Sequence, residues 1–268
     1  MRFPAAALLL LFLCPAPARV PEDLRILVTN DDGIDSAGLR ALVKALDPLG
    51  EVIVCAPEQN CSGASQSSVG FSEALKVSER QIEGAELARA VAGKPVDAAA
   101  FGVLELGKER KFDLIVSGIN AGSNVGLVAH YSGTVGAALE GARRGLPAVA
   151  VSLEARGGDV DAAAAFTARF VSALMARGPA KGIVYSINVP AGKPEQVDVT
   201  PMGGMYLDLD GFAPQSDGAW RGKSALRREA PEGSDTHAYF AGRISIAPLR
   251  VDWSDTAEVA RLRDWKLR

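Results

Sequence analysis

The stretch LVTNDDGIDSAG, residues 27–38, decides how the chain is read. A short apolar run, Ile26 to Thr29, stops at Asn30-Asp31-Asp32-Gly33, and a helix-like segment from Ala37 to Leu46 follows. That is the pattern of a first βα unit, with two adjacent carboxylates at the tip of its strand. In a continuous strand Asp31 and Asp32 would point to opposite faces; a turn relaxed by Gly33 lets both reach one point. Two unpaired carboxylates that close repel, and one of them holds its proton. A divalent cation removes the conflict, and oxygen-rich sites suit magnesium, manganese or calcium. The same letters also fit a plain turn in which Asp32 or Asp35 caps the next helix. Taken alone, the stretch leaves both readings open.

Working outward, two further loops carry chemistry in the same position, beyond the end of an apolar strand. Glu51 to Ala56 reads as a buried strand that runs into EQNCSGASQSS (58–68), where Ser62 and Ser65 offer hydroxyl oxygens. Phe112 to Val116 reads as a parallel-type strand, apolar on both faces, and leads into SGINAGSNVG (117–126). The glycines there can turn backbone N–H groups inward as an anion nest, and Asn120 and Asn124 add amides. Ser132 or Thr134 then caps a helix from Val135 to Arg144, and a helix N-terminus with Gly133 and hydroxyls is a ready phosphate site. His130, beside it, is read as a structural histidine with proton donation as the alternative. In an open parallel sheet such loops converge at the carboxyl edge, where ligands bind. One acidic pair, one Ser loop and one Asn/Gly loop there suit a hard cation beside a phosphate, and so metal-assisted hydrolysis of a phosphate ester.

The rest of the chain sets bounds. With 268 residues, 48% hydrophobic and only 6% aromatic, it suits one large α/β domain or one domain with an appendage. A net charge of −3 without a dense basic cluster gives no footprint for a nucleic-acid polymer. Further strands are expected at Phe71 to Val77, Ala88 to Val91, Leu146 to Ser152, Gly182 to Val189, Gln196 to Thr200 and Arg243 to Pro248. Helices are expected from Pro95 to Leu106, from Asp159 to Arg177 and from Thr256 to Arg263. Residues 191–233, rich in Gly and Pro, read as a loop-rich extension. The division is residues 1–18, 19–190 as catalytic core, and 191–268 as extension.

Residues 1–18 read as a signal peptide: Arg2 is the only charge, Ala5 to Leu13 is apolar, and Ala16-Pro17-Ala18 is a small-residue cleavage site. A helix of about 10 apolar residues spans only about 15 Å, half a bilayer core, so no stable membrane span is expected. The protein is therefore read as exported or periplasmic, or as cytoplasmic if the start codon lies further on. Cys55 closes an apolar run and reads as a small buried hydrophobe, with a Cys55–Cys61 disulfide open in an oxidising compartment.

Several enzyme classes fail on residue types. There is no G-x-x-x-x-G-K-[ST] loop, the first βα turn carries acids where G-x-G-x-x-G would cradle a pyrophosphate, and no G-x-S-x-G elbow occurs. Asp31-Asp32 in place of D-x-D weighs against an aspartyl-phosphate enzyme. An exported binding protein for phosphorylated ligands, without hydrolysis, is the alternative function.

The segments ILVTNDDGIDSAGL (26–39), APEQNCSGAS (56–65), FDLIVSGINAGSNVG (112–126), YSGTVGAALEG (131–141) and PAVAVS (147–152) together resemble the SurE (survival protein E) family of metal-dependent 5′-nucleotidases. SDTHAYFAGRISIAPL (234–249) is similar to a looser form of that family's closing motif. The resemblance implies a three-layer α/β/α Rossmann-like fold with a C-terminal extension exchanged in a homodimer or homotetramer. It implies one divalent cation, magnesium or manganese, held by Asp31, Asp32, Ser62 and Asn120, with the two aspartates catalytic. It implies phosphate or substrate contacts at Asn124, Ser132, Gly133 and Thr134, and at Asp235, which would complete the active site. The implied substrates are nucleoside 5′-monophosphates, with 3′-nucleotides and short polyphosphate beside them. The chain departs from the family pattern at Cys61, where an Arg is usual, and at Ser234 and Ala247, where Thr is usual.

Overall fold

The computed structural model describes residues 23–265. The expected signal peptide, residues 1–18, lies outside them. The first βα unit forms as read: β1 (Leu24–Thr29) is buried along its whole length, and α1 (Ala37–Leu46) follows. The cap of α1 is neither Asp32 nor Asp35 but Ser36, whose Oγ accepts from Leu39 N–H at 3.3 Å. Asp35 is turned outward to Arg40, and Asp32 is engaged across the edge of the sheet, so the hydroxyl takes the cap. Leu39, Leu42, Val43 and Leu46 of α1 are fully buried, each contributing about 1.5–3 kcal/mol of apolar transfer.

In chain order the other strands are β2 (Gly50–Pro57), β3 (Val77–Arg80), β4 (Leu87–Val91), β5 (Leu114–Ala121), β6 (Ala148–Leu153), β7 (Ile183–Val189), β8 (Val197–Val199), β9 (Leu207–Pro214), β10 (Trp220–Leu226) and β11 (Ile244–Arg250). The helices are α2 (Pro95–Phe101, prolonged by a wide turn over Gly102–Leu106), α3 (Gly133–Arg143), α4 (Val160–Arg177), α5 (Asp235–Phe240) and α6 (Thr256–Arg263). Nine strands form one sheet in the order β3-β4-β2-β1-β5-β6-β7-β11-β8. The six from β4 to β7 in that order are parallel, β3 and β11 run antiparallel to their inner neighbours, and β8 is parallel to β11.

Alternating strand residues feed two apolar layers, as the pleat requires. Ile26 and Val28 pack with α1 and α4 on one face; Leu27 and Ile53 pack with α2 and α3 on the other. Small residues set how close the helices come: a Cβ on Gly38 of α1 would lie 2.1 Å from the Ile119 carbonyl. Chain direction across the sheet reverses between β1 and β5, since β2 lies on one side of β1 and β5 on the other. The crevice beyond the carboxyl ends of β1 and β5 is thus the topological switch point.

The structure departs from expectation in three places. Residues 71–77 are not a strand: Ser72 and Glu73 N–H groups both donate to the Val69 carbonyl in a turn, Phe71 is exposed, and the strand begins only at Val77. Residues 191–233 hold β8 where a strand was expected, and beyond it the β9–β10 hairpin, more regular structure than their Gly and Pro content suggested. Leu207-Asp208-Leu209-Asp210 does alternate with period 2, but Gly211 interrupts it after four residues. The helix α5 has six residues, too few for a helical period to register. No helix among the described residues is long and apolar enough to cross a membrane.

Candidate active site

The switch-point loops lock onto one another through the two aspartates. The Asp31 carbonyl accepts from Cys61 N–H at 2.7 Å, and the Pro57 carbonyl accepts from Ile34 N–H at 2.8 Å, so the loops after β1 and β2 are stapled together. Asp32 reaches both neighbours: its Oδ2 accepts from Ala121 N–H at 2.8 Å, next to Asn120, and its Oδ1 from Asn60 Nδ2 at 3.2 Å. Asn60 Oδ1 in turn accepts from Ser62 N–H at 2.8 Å, placing Ser62 beside the acidic pair. Asn30, buried beneath the turn, donates to the Gly33 carbonyl and to Ser36 Oγ, both at 2.8 Å, and so fixes where the two acids point.

The fourth piece is the start of α3. Thr134 Oγ1 donates to Asp31 Oδ1 in a short hydrogen bond. Gly133 is required by proximity, because a Cβ there would stand 2.8 Å from Asp31 Cβ and 2.9 Å from its Oδ2. Of the two caps the sequence left open, Ser132 is the one used, its Oγ accepting from Val135 N–H at 3.1 Å. Burial, reinforced by the neighbouring Asp32 charge, holds the Asp31 carboxyl above its ordinary range, while the Thr134 hydroxyl and N–H pull the other way.

The residues present fit a hard divalent cation. Ser62 is exposed and Asn120 half-buried. Asn120 spends its Nδ2 on the Gly122 carbonyl at 2.7 Å. Among the described residues no hydrogen bond reaches Ser62 Oγ or Asn120 Oδ1. Two carboxylates and two such neutral oxygens make an all-oxygen donor set, the kind magnesium and manganese prefer. Among the described residues no three His, Cys, Asp or Glu side chains converge, so a cation at this edge would draw its other ligands from Ser62, Asn120 and water.

Asn124 and Asp235 serve a different level of the site. Asn124 is buried, its N–H donating to Asn188 Oδ1 at 2.7 Å and its Nδ2 to Ser152 Oγ at 2.8 Å. Asp235 is buried too, and its oxygens accept from the N–H groups of Gly126 (2.8 Å), Gly203 (2.9 Å) and Thr236 (2.8 Å). It latches the 117–126 loop to the extension, and burial raises its pKa against those three N–H bonds. His130 is exposed and packs edge-on against Trp253 rather than inside the fold. Cys55 and Cys61 are both free.

Three residues of the assembly had no role in the sequence reading. Asn60 and Asn188 are single amides that bind the loops after β1 and β5, respectively. Asp97, at the start of α2, accepts from Ser68 Oγ and from the N–H groups of Val69, Gly70 and Lys94, and so clamps the far end of the Ser62 loop. Those bonds outweigh its burial and lower its pKa. Only the helix-start pattern Pro95-Val96-Asp97 hinted at it.

A family model described as survival protein SurE matches residues 26–208. The chain belongs to the SurE family. The crystal structure of the SurE protein from Aquifex aeolicus superposes with a TM-score of 0.79 at 30% sequence identity, over 91% of this chain and all of that one. As a SurE protein, this chain carries Cys61 at the staple to Asp31, its Sγ 3.6 Å from the Gly93 carbonyl.

Cation binding is readable without any assay of activity. Manganese at about 100 times its Kd should add about 2.7 kcal/mol to unfolding stability, and the gain should vanish in Asp31→Asn/Asp32→Asn. The pH sign follows from Asp31. Its folded pKa lies above the ordinary 3.8, so in metal-free protein its contribution is full below that value and is lost as pH rises through the folded pKa. The manganese gain should grow over the same window. Chemical denaturation at several pH values with manganese or chelator checks both; a gain that survives in the double variant would contradict the site.

Proposed function

We propose that the protein is a metal-dependent phosphatase that hydrolyses nucleoside 5′-monophosphates to nucleoside and phosphate. The observation that carries this is the junction of Asp31, Asp32, the Ser62 loop and Asn120 with the N-terminus of α3 in a SurE-family chain. A bound magnesium or manganese ion would screen the two carboxylates, polarise a phosphoryl oxygen and acidify a water.

The chain's own groups do the rest. The phosphate lies toward the start of α3, where the helix dipole favours an anion and Gly133 lets the helix begin against Asp31. Asn120 and Asp32 hold their orientation through Gly122 and Ala121, so no reorganisation is needed as charge develops on phosphorus. Asp31 Oδ2, the oxygen not bonded to the Thr134 hydroxyl, takes the proton of the attacking water. It returns that proton to the leaving 5′-oxygen as the ester bond breaks. Asn124 and Asp235 act from behind, fixing the 117–126 loop.

Two further parts of the reading concern state and place. The β9–β10 hairpin stands apart from the main sheet with Leu209, Phe212, Trp220 and Leu226 more than half exposed. A lone two-stranded ribbon is marginal in water, which supports a homodimer or homotetramer joined through this extension. The leader-like residues 1–18 support export. Sedimentation should give a dimer or tetramer that Trp220→Glu weakens, and the mass of secreted protein should begin at Arg19; a monomer, or an intact Met1, would contradict the respective point.

Phosphate release from AMP should require manganese and stop with chelator. Asp32→Asn should lower it by about 100-fold or more, in line with losing an electrostatic group of the site. Full turnover of that variant at saturating manganese would overturn the proposal, and AMP binding without release would select a binding protein.

A further inference from the structure

The Ser65 hydroxyl is spent on the backbone that leads into α3. Its Oγ donates to the His130 carbonyl at 2.6 Å, and Ser65 N–H donates to the Tyr131 carbonyl at 3.1 Å. Both acceptors lie directly before Ser132, the cap of α3. The Ser65 carbonyl rests on α3 itself, where a Cβ at Gly136 would stand 2.2 Å from it. Ser65 also has a φ of 53°, in the left-handed region. A residue that carries a Cβ keeps that conformation only where its surroundings hold it there.

These bonds close a ring of contacts that contains Ser62. Cys61 N–H donates to the Asp31 carbonyl at 2.7 Å; further along the loop Ser65 binds the Tyr131 carbonyl; and the Thr134 hydroxyl, at the start of the helix that follows, returns to Asp31 Oδ1. Between the first two contacts, Ala64 N–H donates to the Cys61 carbonyl at 3.1 Å, so Ser62 and Gly63 form the tip of a turn. That tip is exposed, and a Cβ on Gly63 would meet nothing within 4 Å. No packing around Gly63 steadies the tip, so the two ends of the turn carry the Ser62 oxygen. On the Ser65 side a cleft of about 330 Å³ runs along α3 from Ser65 and Gln66 to Trp253, which leaves the loop room to shift once its bonds are cut.

We propose that Ser65 is a positioning residue: its hydrogen bonds to the chain before α3 set where the Ser62 oxygen stands, and with it the affinity for the cation. The inference rests on the cation site of the phosphatase reading and adds what makes an exposed serine at a turn tip a usable ligand. The same contact joins the cation side of the site to its phosphate side, because the carbonyls that Ser65 holds lead straight into Ser132 and Gly133. Removing one such hydrogen bond costs about fivefold in the equilibrium it supports.

The test is a double-mutant cycle on manganese affinity, read from the electron paramagnetic resonance of free manganese and so independent of turnover. Ser65→Ala should raise the Kd about fivefold. Ser65→Gly loses the same hydroxyl but takes a left-handed φ freely; it should raise the Kd too, which assigns the effect to the bond and not to the backbone conformation. In a Ser62→Ala background, which keeps Asp31, Asp32 and Asn120, Ser65→Ala should change the Kd by less than about twofold. A merely structural role would weaken binding by the same factor in both backgrounds. That result, or an unchanged Kd in Ser65→Ala itself, overturns the assignment. Should Ser65→Ala fail to fold, Ser65→Gly takes its place in the same cycle. Phosphate release from AMP is followed alongside: coupling between Ser65 and Ser62 in a protein that releases none upholds the assignment while the phosphatase reading falls, and release without coupling does the reverse. Wild-type protein that binds no manganese overturns both.

Discussion

Two like charges on consecutive residues at the end of a buried strand are the constraint on which the site depends. Asp31 and Asp32 cannot both be comfortable there as free carboxylates, because one is buried and the other is its neighbour. Each surrounding feature relieves that conflict or aims it. Asn30 fixes the turn, Thr134 and the start of α3 take one side of Asp31, and Ala121 and Asn60 take both oxygens of Asp32. What these contacts leave over is a patch of oxygen ligands facing outward at the switch point. A cation is the group we propose to complete the electrostatics.

That arrangement also explains why glycine recurs in the loops around the pair. Gly133 lets a helix start against a carboxylate, and Gly38 lets α1 press on the backbone of β5, next to Asn120. The β5–β6 ladder loses register between Ser117 and Asn120 and then resumes, an irregularity of the kind that re-aims a side chain at a site. Asn120 emerges past that break with its amide anchored on Gly122, and among the described residues no hydrogen bond reaches its carbonyl. Rigid elements thus deliver the donors, and the loops between them are short of freedom.

The core of the fold was legible because its signals are local. Apolar strands of five to eight residues followed by loops with Gly, Asn and Ser announce βα units, and the acidic pair announces itself by charge conflict. Ser132 and Thr134 were visible as cap candidates, but only the packed structure shows one capping and the other holding Asp31. Asn60, Asn188 and Asp97 were not legible, since an isolated amide or carboxylate has no periodicity and the partners that bind it to other segments lie 27 to 64 residues away. The hairpin and α5 escaped because an exposed ribbon and a six-residue helix bury too little to leave a pattern. Cys61 makes the staple to Asp31 through its backbone N–H, a contact that does not depend on the side chain at that position.

The most direct measurement is a crystal structure of the protein soaked in manganese, with data collected at the manganese absorption edge. The account predicts one anomalous peak at the switch point, within about 2–2.5 Å of carboxylate oxygens from both Asp31 and Asp32, with Ser62 and Asn120 oxygens or waters completing the shell. A peak elsewhere, or none at saturating manganese with the two carboxylates unchanged in position, would contradict it.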